Sequence, residues 1–283
     1  MILVLNQQEE NEMKSKELDQ FYTRESVAKH CVDVFYSIYG KKFKFMEPSA
    51  GTGVFLNFLP KGTLAFDLDP KDSRIAKADF LTTAPNADVS FGNPPFGKNS
   101  GLAVKFFNHS AQYVKYIAFI IPRTFRKKSL RNRLNLYFHL VHDETIEDNA
   151  FIHNGKEYSV PCAFQIWEKR DYPRVKEITI SSHPDFSIVP KLKADFAIQR
   201  VGGRAGLIRT EKFLEYSEMS HYFIKASAPL LDVLNVFYSI DFDRVKFETA
   251  GNPSISPSEL YELYGEVVPD ATRELPSILF GVC

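Results

Sequence analysis

The sequence is poor in cysteine, in long apolar runs and in net charge, and each shortage excludes something. Its three cysteines, Cys31, Cys162 and Cys283, are odd in number, with no C-x-x-C pair. A disulfide framework and a zinc site are both disfavoured, and no metal is expected. A reducing cytosol is the simplest compartment, so a cytoplasmic location is the expectation. The longest apolar run, Tyr116 to Pro122, is too short to span a bilayer. Met1 to Leu5 is too short for the apolar part of a signal peptide, so no membrane association is expected. Lys plus Arg and Asp plus Glu each total 35, for a net charge of zero. That argues against affinity drawn from blanket positive charge and leaves local patches open. One such patch is present: Arg123, Arg126, Lys127, Lys128, Arg131 and Arg133. Residues 259–274 lean acidic and partly offset it.

What is present suits an ordinary soluble globular protein, with 44% apolar and 25% charged residues. A chain of 283 residues makes one large domain or two modest ones. Phe is frequent, at 25 residues, and most of these belong in a core. Residues 1–17 read as a loose polar arm. Residues 24–39 carry Val27, Cys31, Val34, Phe35 and Ile38 at helical spacing. Strands follow at 43–46, 63–66, 89–91, 116–121 and 163–167, with helical character expected from Val54 to Leu59 and over 128–140. This alternation predicts an α/β domain with a doubly wound sheet over residues 18–170. Beyond Asp171, prolines at 173, 184, 190, 229, 253, 257, 269 and 276 break the chain into short pieces. There Ala194 to Val201 reads as a strand, Gly202 to Gly206 as a turn and Pro229 to Ser239 as a helix. Residues 171–283 are therefore expected to form a smaller α+β extension.

Three loops carry chemistry. The run Glu47-Pro48-Ser49-Ala50-Gly51-Thr52-Gly53 lies between a strand and a helical segment. A doubly wound sheet binds adenosine-bearing cofactors at such a place. Gly51 and Gly53 remove side chains where a ligand approaches the backbone. The third glycine of G-x-G-x-x-G is replaced by Leu56, and no G-K-[ST] follows, so a ligand without a pyrophosphate fits better than NAD or ATP. Asp67 ends the next strand, where a carboxylate can accept from both ribose hydroxyls, with Asp69 as a competitor. Asp79 can accept from an adenine amino group beside Phe80, or simply cap a turn. The third loop is Asn93-Pro94-Pro95-Phe96. The Asn93 oxygen is a neutral acceptor with two lone pairs, and Pro94 lacks an N–H but offers a carbonyl. Together they can accept both hydrogens of one exocyclic amino group, and the ring of Phe96 offers a face for stacking.

The segments Asp19-Gln20-Phe21-Tyr22-Thr23, Glu47 to Gly53, Asp67-Leu68-Asp69-Pro70, Ala78-Asp79-Phe80 and Asn93 to Phe96, in that order, resemble the amino-group methyltransferases. Specifically they look like the adenine-N6 enzymes that use S-adenosylmethionine, in their gamma-like motif order, over roughly residues 19–170. The resemblance implies a Rossmann-like class I methyltransferase sheet and roles at matching positions. Tyr22 and Thr23 would contact the methionine end of the cofactor. Glu47, Pro48, Ser49, Ala50, Gly51 and Gly53 would wrap the methionine and ribose. Asp67 would hold the ribose hydroxyls, and Leu68, Asp79 and Phe80 would receive the adenine. Asn93, Pro94, Pro95 and Phe96 would hold the target base, with Phe151 as a second aromatic against it.

The function expected is methylation of adenine N6 in DNA, with the target rotated out of the duplex into the Asn93 loop. Arg123, Arg126 and Lys127 are candidate phosphate contacts, or a solvated helix face. Target recognition falls to the extension, with Arg200 to Arg209 and Gly251 to Ser256 as candidates. A monomer is expected, with any restriction endonuclease on a separate chain. Three other readings stay open. RNA adenine-N6 enzymes share the loop. Glutamine-N5 enzymes usually carry Tyr where Phe96 stands. An inactive nucleic-acid-binding module on the same fold is the third, against which the intact cofactor and acceptor loops argue.

Overall fold

The computed structural model describes residues 21–268. The expected arm over 1–17, Asp19 and Gln20 of the first motif, the acidic residues past 268, Pro269, Pro276 and Cys283 lie outside them. The described chain divides into two compact units. The first runs to Glu177, and the second runs from Ile178 to Glu248 and resumes at Asn252.

In the first unit the elements are β1 (Tyr22–Thr23), α1 (Glu25–Tyr39), β2 (Phe45–Glu47), β3 (Leu64–Asp67), β4 (Ala76–Lys77), β5 (Val89–Gly92), α2 (Gly101–Ser110), β6 (Tyr116–Pro122), α3 (Lys128–Arg131), β7 (Phe138–Thr145), β8 (Phe151–His153), β9 (Lys156–Tyr158) and β10 (Cys162–Lys169). Seven strands form one sheet in the order β4-β3-β2-β5-β6-β10-β7. β4 through β6 are parallel, and β10 runs antiparallel between β6 and β7. This is the expected doubly wound, Rossmann-like α/β sheet. Its order reverses between β2 and β5, and the carboxyl ends of strands at such a switch point are where these sheets bind ligands. Both chemical loops leave from there: the glycine loop from β2 and the Asn93 loop from β5.

The core explains the surplus of phenylalanine. One apolar layer, with Val27, Cys31 and Phe35 of α1, packs Phe45, Phe91 and Phe164 of the sheet. The other, with Val104 and Phe107 of α2, packs Phe119, Phe125, Phe138 and Trp167. α1 stops at Gly40, whose φ of +81° suits glycine better than any other residue.

Two expected helices are corrected. Only a 3-10 turn, Phe55–Asn57, forms in the segment from Val54. Pro60 follows at once, and it can neither donate to a helical carbonyl nor fit the next turn. The helix expected over 128–140 ends at Arg131. Asparagine side chains there bind backbone groups instead: Asn108 accepts from the Asn135 N–H at 2.8 Å and donates to the Arg133 carbonyl at 2.9 Å. Phe138 then begins β7. The hairpin of β8 and β9 was not expected, although Asn154-Gly155 at its turn, with φ of +50° and +73°, is the commonest two-residue hairpin signal. β1 pairs with β8, setting Thr23 opposite Phe151.

The second unit holds β11 (Phe186–Ile188), β12 (Phe196–Gln199), β13 (Ile208–Arg209), β14 (His221–Ala226), α4 (Leu230–Ser239), α5 (Asp243–Lys246) and α6 (Pro257–Val267). Its antiparallel sheet has the order β11-β14-β12-β13. Phe196, Ile198, Tyr222 and Ile224 form one face, packed on Val233 and Phe237 of α4 and on Leu260 and Tyr264 of α6. Ser256 and Glu259 close α6 with a capping box. This is the expected α+β extension.

Candidate active site

A cavity of about 340 Å3 opens at the switch point. That falls within the ~300–1,000 Å3 of small-molecule sites. Its walls include Tyr22 and Thr23, the loop from Glu47 through Thr52, Asp67, Leu68, Asp79, Phe80 and Asn93. Five segments scattered over the sequence thus meet at one site.

The glycine loop is fixed from both sides. Asp67 accepts from the Gly51 N–H at 2.7 Å and from the Asp69 N–H at 2.8 Å. These bonds hold the carboxylate at the end of β3 and leave it lone pairs for a ligand. Gly51 has φ +50°, and a Cβ there would lie 2.8 Å from Tyr22 Cε1. The backbone therefore comes close to the Tyr22 ring only because the side chain is missing. Leu68 is 57% exposed on the rim, an apolar surface available for a ligand to cover. Asp79 caps the 3-10 turn that follows it, accepting from the Leu81 N–H at 3.0 Å, and also lines the cavity. Of the two meanings open in the sequence, the cap is realised at this residue.

Glu47 is 1% exposed, and its Oε2 has no partner. Burial, with the Asp67 charge added and Arg74 opposing, pushes its pKa well above the ordinary 4.5. Gly92 makes room for it, since a Cβ at Gly92 would lie 3.2 Å from Glu47 Cγ. A carboxyl whose folded pKa is raised keeps its proton in the folded chain and loses it in the unfolded one. Stability therefore falls as pH rises above the unfolded value, until the folded group also ionises. Glu47→Gln is expected to remove that decline and to be the more stable form at alkaline pH. Thermal melts of both proteins across pH check this, and parallel profiles would contradict it.

Asn93 is held by its nitrogen. Nδ2 donates to the Phe21 carbonyl at 3.1 Å and to Thr23 Oγ1 at 3.3 Å. With the amide so turned, Oδ1 is buried and has no partner, on a residue that lines the cavity. Ser49 Oγ donates to the Asn93 carbonyl at 3.1 Å, joining the two loops. Pro95 lines the cavity, whereas Pro94 is buried and Phe96 packs half-buried against both apolar layers. The part played by the Phe21 carbonyl had no sequence signal, since any residue would supply it.

Other expected residues lie differently. Phe151 is fully buried in the α1-side core and has no free face to offer a base. It is the β1–β8 pairing, which turns Phe151 inward, that corrects its expected role. Arg126 donates to Asp143 from Nε, at 2.9 and 3.2 Å, and from Nη2, at 2.5 Å, so its guanidinium is turned onto the chain's own carboxylate. Arg131 is bound to Glu177 in the same way, at 2.6 Å to each oxygen. Arg123 is partly buried, with Nε unpartnered, and Lys127 caps the start of α3. Two of the six cations of the basic run, Arg126 and Arg131, are thus paired inside the unit. No described helix is long and apolar enough to cross a membrane.

No protein-family model matches the chain, and no curated protein does. Solved structures show partial likeness. A protein of Pyrococcus horikoshii, provisionally named an RNA methyltransferase, is 18% identical, with a TM-score of 0.45 over 54% of this chain and 87% of its own. The 1,6-didemethyltoxoflavin-N1-methyltransferase of Burkholderia thailandensis, solved with S-adenosylhomocysteine, is 11% identical, with a TM-score of 0.41 over 60% of this chain and 93% of its own. The M protein of the EcoKI type I restriction enzyme is 16% identical, with a TM-score of 0.37 over 53% of this chain and 44% of its own.

Proposed function

We propose that this chain transfers a methyl group from S-adenosylmethionine to the N6 amino group of adenine in DNA. One observation carries the reading: the Asn93 amide has its nitrogen committed to Phe21 and Thr23 and its buried oxygen left unpartnered, on a residue that lines the cavity. A buried acceptor of that kind costs about 1–3 kcal/mol unless something donates to it. An exocyclic amino group is such a donor.

The residues present fit the cofactor. Asp67 and Asp79 offer carboxylates for ribose hydroxyls and a ring amino group, and Leu68 offers an apolar face. Glu47, protonated in the free chain, has an unpartnered oxygen that can accept from an ammonium group, whose charge would favour its ionised form. When bound, S-adenosylmethionine supplies an electrophilic methyl group on its sulfonium.

The work left to the protein is positioning and charge stabilisation. The amino lone pair of adenine is delocalised into the ring and is a poor nucleophile. Accepting an N–H at Asn93 Oδ1 favours the pyramidal amine and stabilises its growing positive charge. The tether from Ser49 to Asn93 sets the amine's acceptor against the cofactor loop, which is the effective-concentration part of the rate. The amine's proton leaves afterwards to water.

DNA is favoured over RNA by the gamma-like motif order and by a separate α+β unit available for target recognition. The chain acts alone in this reading, with any endonuclease on another chain. Incubation with methyl-labelled cofactor and, separately, duplex DNA, RNA and protein should place the label in DNA as N6-methyladenine. Label in RNA alone would move the substrate to RNA, and label in protein alone would sink the nucleic-acid reading.

A further inference from the structure

Among the described residues, four carboxylic acids line the cavity at the switch point, Glu47, Asp67, Asp69 and Asp79, and no lysine or arginine does. Such a wall repels phosphate groups and suits a cation. The four acids are not alike. Asp67 and Asp79 accept from backbone N–H groups, and the half-exposed Asp69 is paired with Lys71 at 2.5 Å. Glu47 has no such bond: it is 1% exposed, and its Oε2 is buried without a partner.

The groups around Glu47 deepen the contrast. From β3, Asp67 adds a second negative charge. From the loop after β3, Arg74 opposes it, but its guanidinium is turned onto Asp72, with Nε 3.0 Å from Oδ1 and Nη2 2.7 Å from Oδ2. Nη2 also donates to Asn57 at 2.9 Å. From β5, Gly92 lies against the Glu47 side chain and brings no charge. Tyr22 of β1, on the same cavity wall, is a phenol that burial keeps neutral. A carboxyl so placed holds its proton while no cation is near. The chain supplies none at the wall, so the cation that would ionise Glu47 is one a ligand brings. An opposite charge within ~4–6 Å lowers a carboxyl pKa by ~1–3.

We propose that Glu47 gives up its proton to solvent when the ammonium group of the cofactor enters, so that cofactor binding and proton release are one event. No other bond forms or breaks: the proton passes from the carboxyl oxygen to water, and the ammonium keeps its own. The complex then holds one proton fewer than the free chain. Affinity therefore rises with pH, by about tenfold per pH unit between the bound and free pKa values of Glu47, and levels off above the higher one. This rests on the proposed use of S-adenosylmethionine and specifies the state of Glu47 on each side of binding.

The test is calorimetric binding to the full chain in phosphate and in imidazole, buffers of low and high ionisation heat. The pH is held between about 5.5 and 6.5, below the ~7.7–8.0 at which an α-amino group titrates. Two probes share the thioether nucleoside and differ in the amino-acid arm: S-adenosylhomocysteine has it, and 5′-methylthioadenosine does not. Both present a ribose and an adenine to Asp67 and Asp79, so their difference isolates the arm. S-adenosylhomocysteine should release up to about one proton more than methylthioadenosine, and S-adenosylmethionine should behave as S-adenosylhomocysteine does. Glu47→Gln should abolish that difference and flatten the pH dependence of affinity. Equal release by the two probes would overturn the proposal, and so would a difference that survives in Glu47→Gln. The probe comparison uses the unaltered chain, so it decides the matter even if the variant fails to fold. S-adenosylhomocysteine binding with no proton release sinks the linkage alone and leaves the methyl-transfer reading standing. Failure of both S-adenosyl compounds to bind sinks the two together.

Discussion

Asn93→Ala is expected to lower the rate of methyl transfer by ~10²–10³-fold while S-adenosylmethionine still binds. The magnitude is that of removing one preorganised group aimed at charge that develops in the transition state. The asymmetry follows from where each atom of the side chain goes. Oδ1 is unpartnered on a residue of the cavity wall, so in the proposed reading its loss is felt by the substrate. Nδ2 is bonded to Phe21 and Thr23, so its loss is felt by the protein, at about 1 kcal/mol per bond. The cofactor's expected contacts from Asp67, Asp79 and Glu47 are untouched. Single-turnover methyl transfer, set beside calorimetric cofactor binding, checks this. A near-normal rate with intact cofactor affinity would remove Asn93 from the chemistry.

The second large effect is on stability. Phe151→Ala should destabilise the protein by ~3–5 kcal/mol, the usual cost of emptying a buried phenylalanine site. At ~2–4 °C per kcal/mol for a chain of this size, the melting temperature falls on the order of 10 °C. Phe151 is 0% exposed and packs among Val27, Cys31, Phe91 and Phe164. Tyr158, paired with it across the hairpin, is 47% exposed, so Tyr158→Ala serves as a control of small cost. The two possible roles of Phe151 predict opposite results. A base-stacking residue would leave the melting temperature alone and lose activity, whereas a core residue does the reverse in whatever fraction remains folded.

The sheet of the first unit was legible because its strands are bounded by strong punctuation. β2, β3 and β5 each run into a loop whose composition cannot continue a strand: Pro48 with Gly51, Asp69 with Pro70, and Pro94 with Pro95. Helices after β2 and over 128–140 were misread for the same physical reason. Apolar spacing is a statement about one face, and it says nothing of where hydrogen bonds are intercepted. Pro60 cuts the first short, and the side chains of Asn108 and Asn135 intercept the second. Phe151 shows the other limit. A phenylalanine facing a base and one facing a core have the same local sequence, and the choice rests on the pairing of β8 with β1, more than 120 positions away. The carbonyl that orients Asn93 is long-range in the same sense.

The Phe21 carbonyl beside Asn93 has a consequence for which residue the loop can hold. Aspartate has almost the same shape as asparagine and is a stronger acceptor, so on acceptor strength alone it would serve. Here, however, one end of the side chain meets a carbonyl oxygen at 3.1 Å. A carboxylate in that place sets two oxygens against each other, and only a retained proton would relieve them. That proton would neutralise the acid and forfeit its advantage. The backbone of a segment lying far upstream thus discriminates between two nearly isosteric side chains. It admits the one that carries a donor and an acceptor on fixed, opposite sides at every pH.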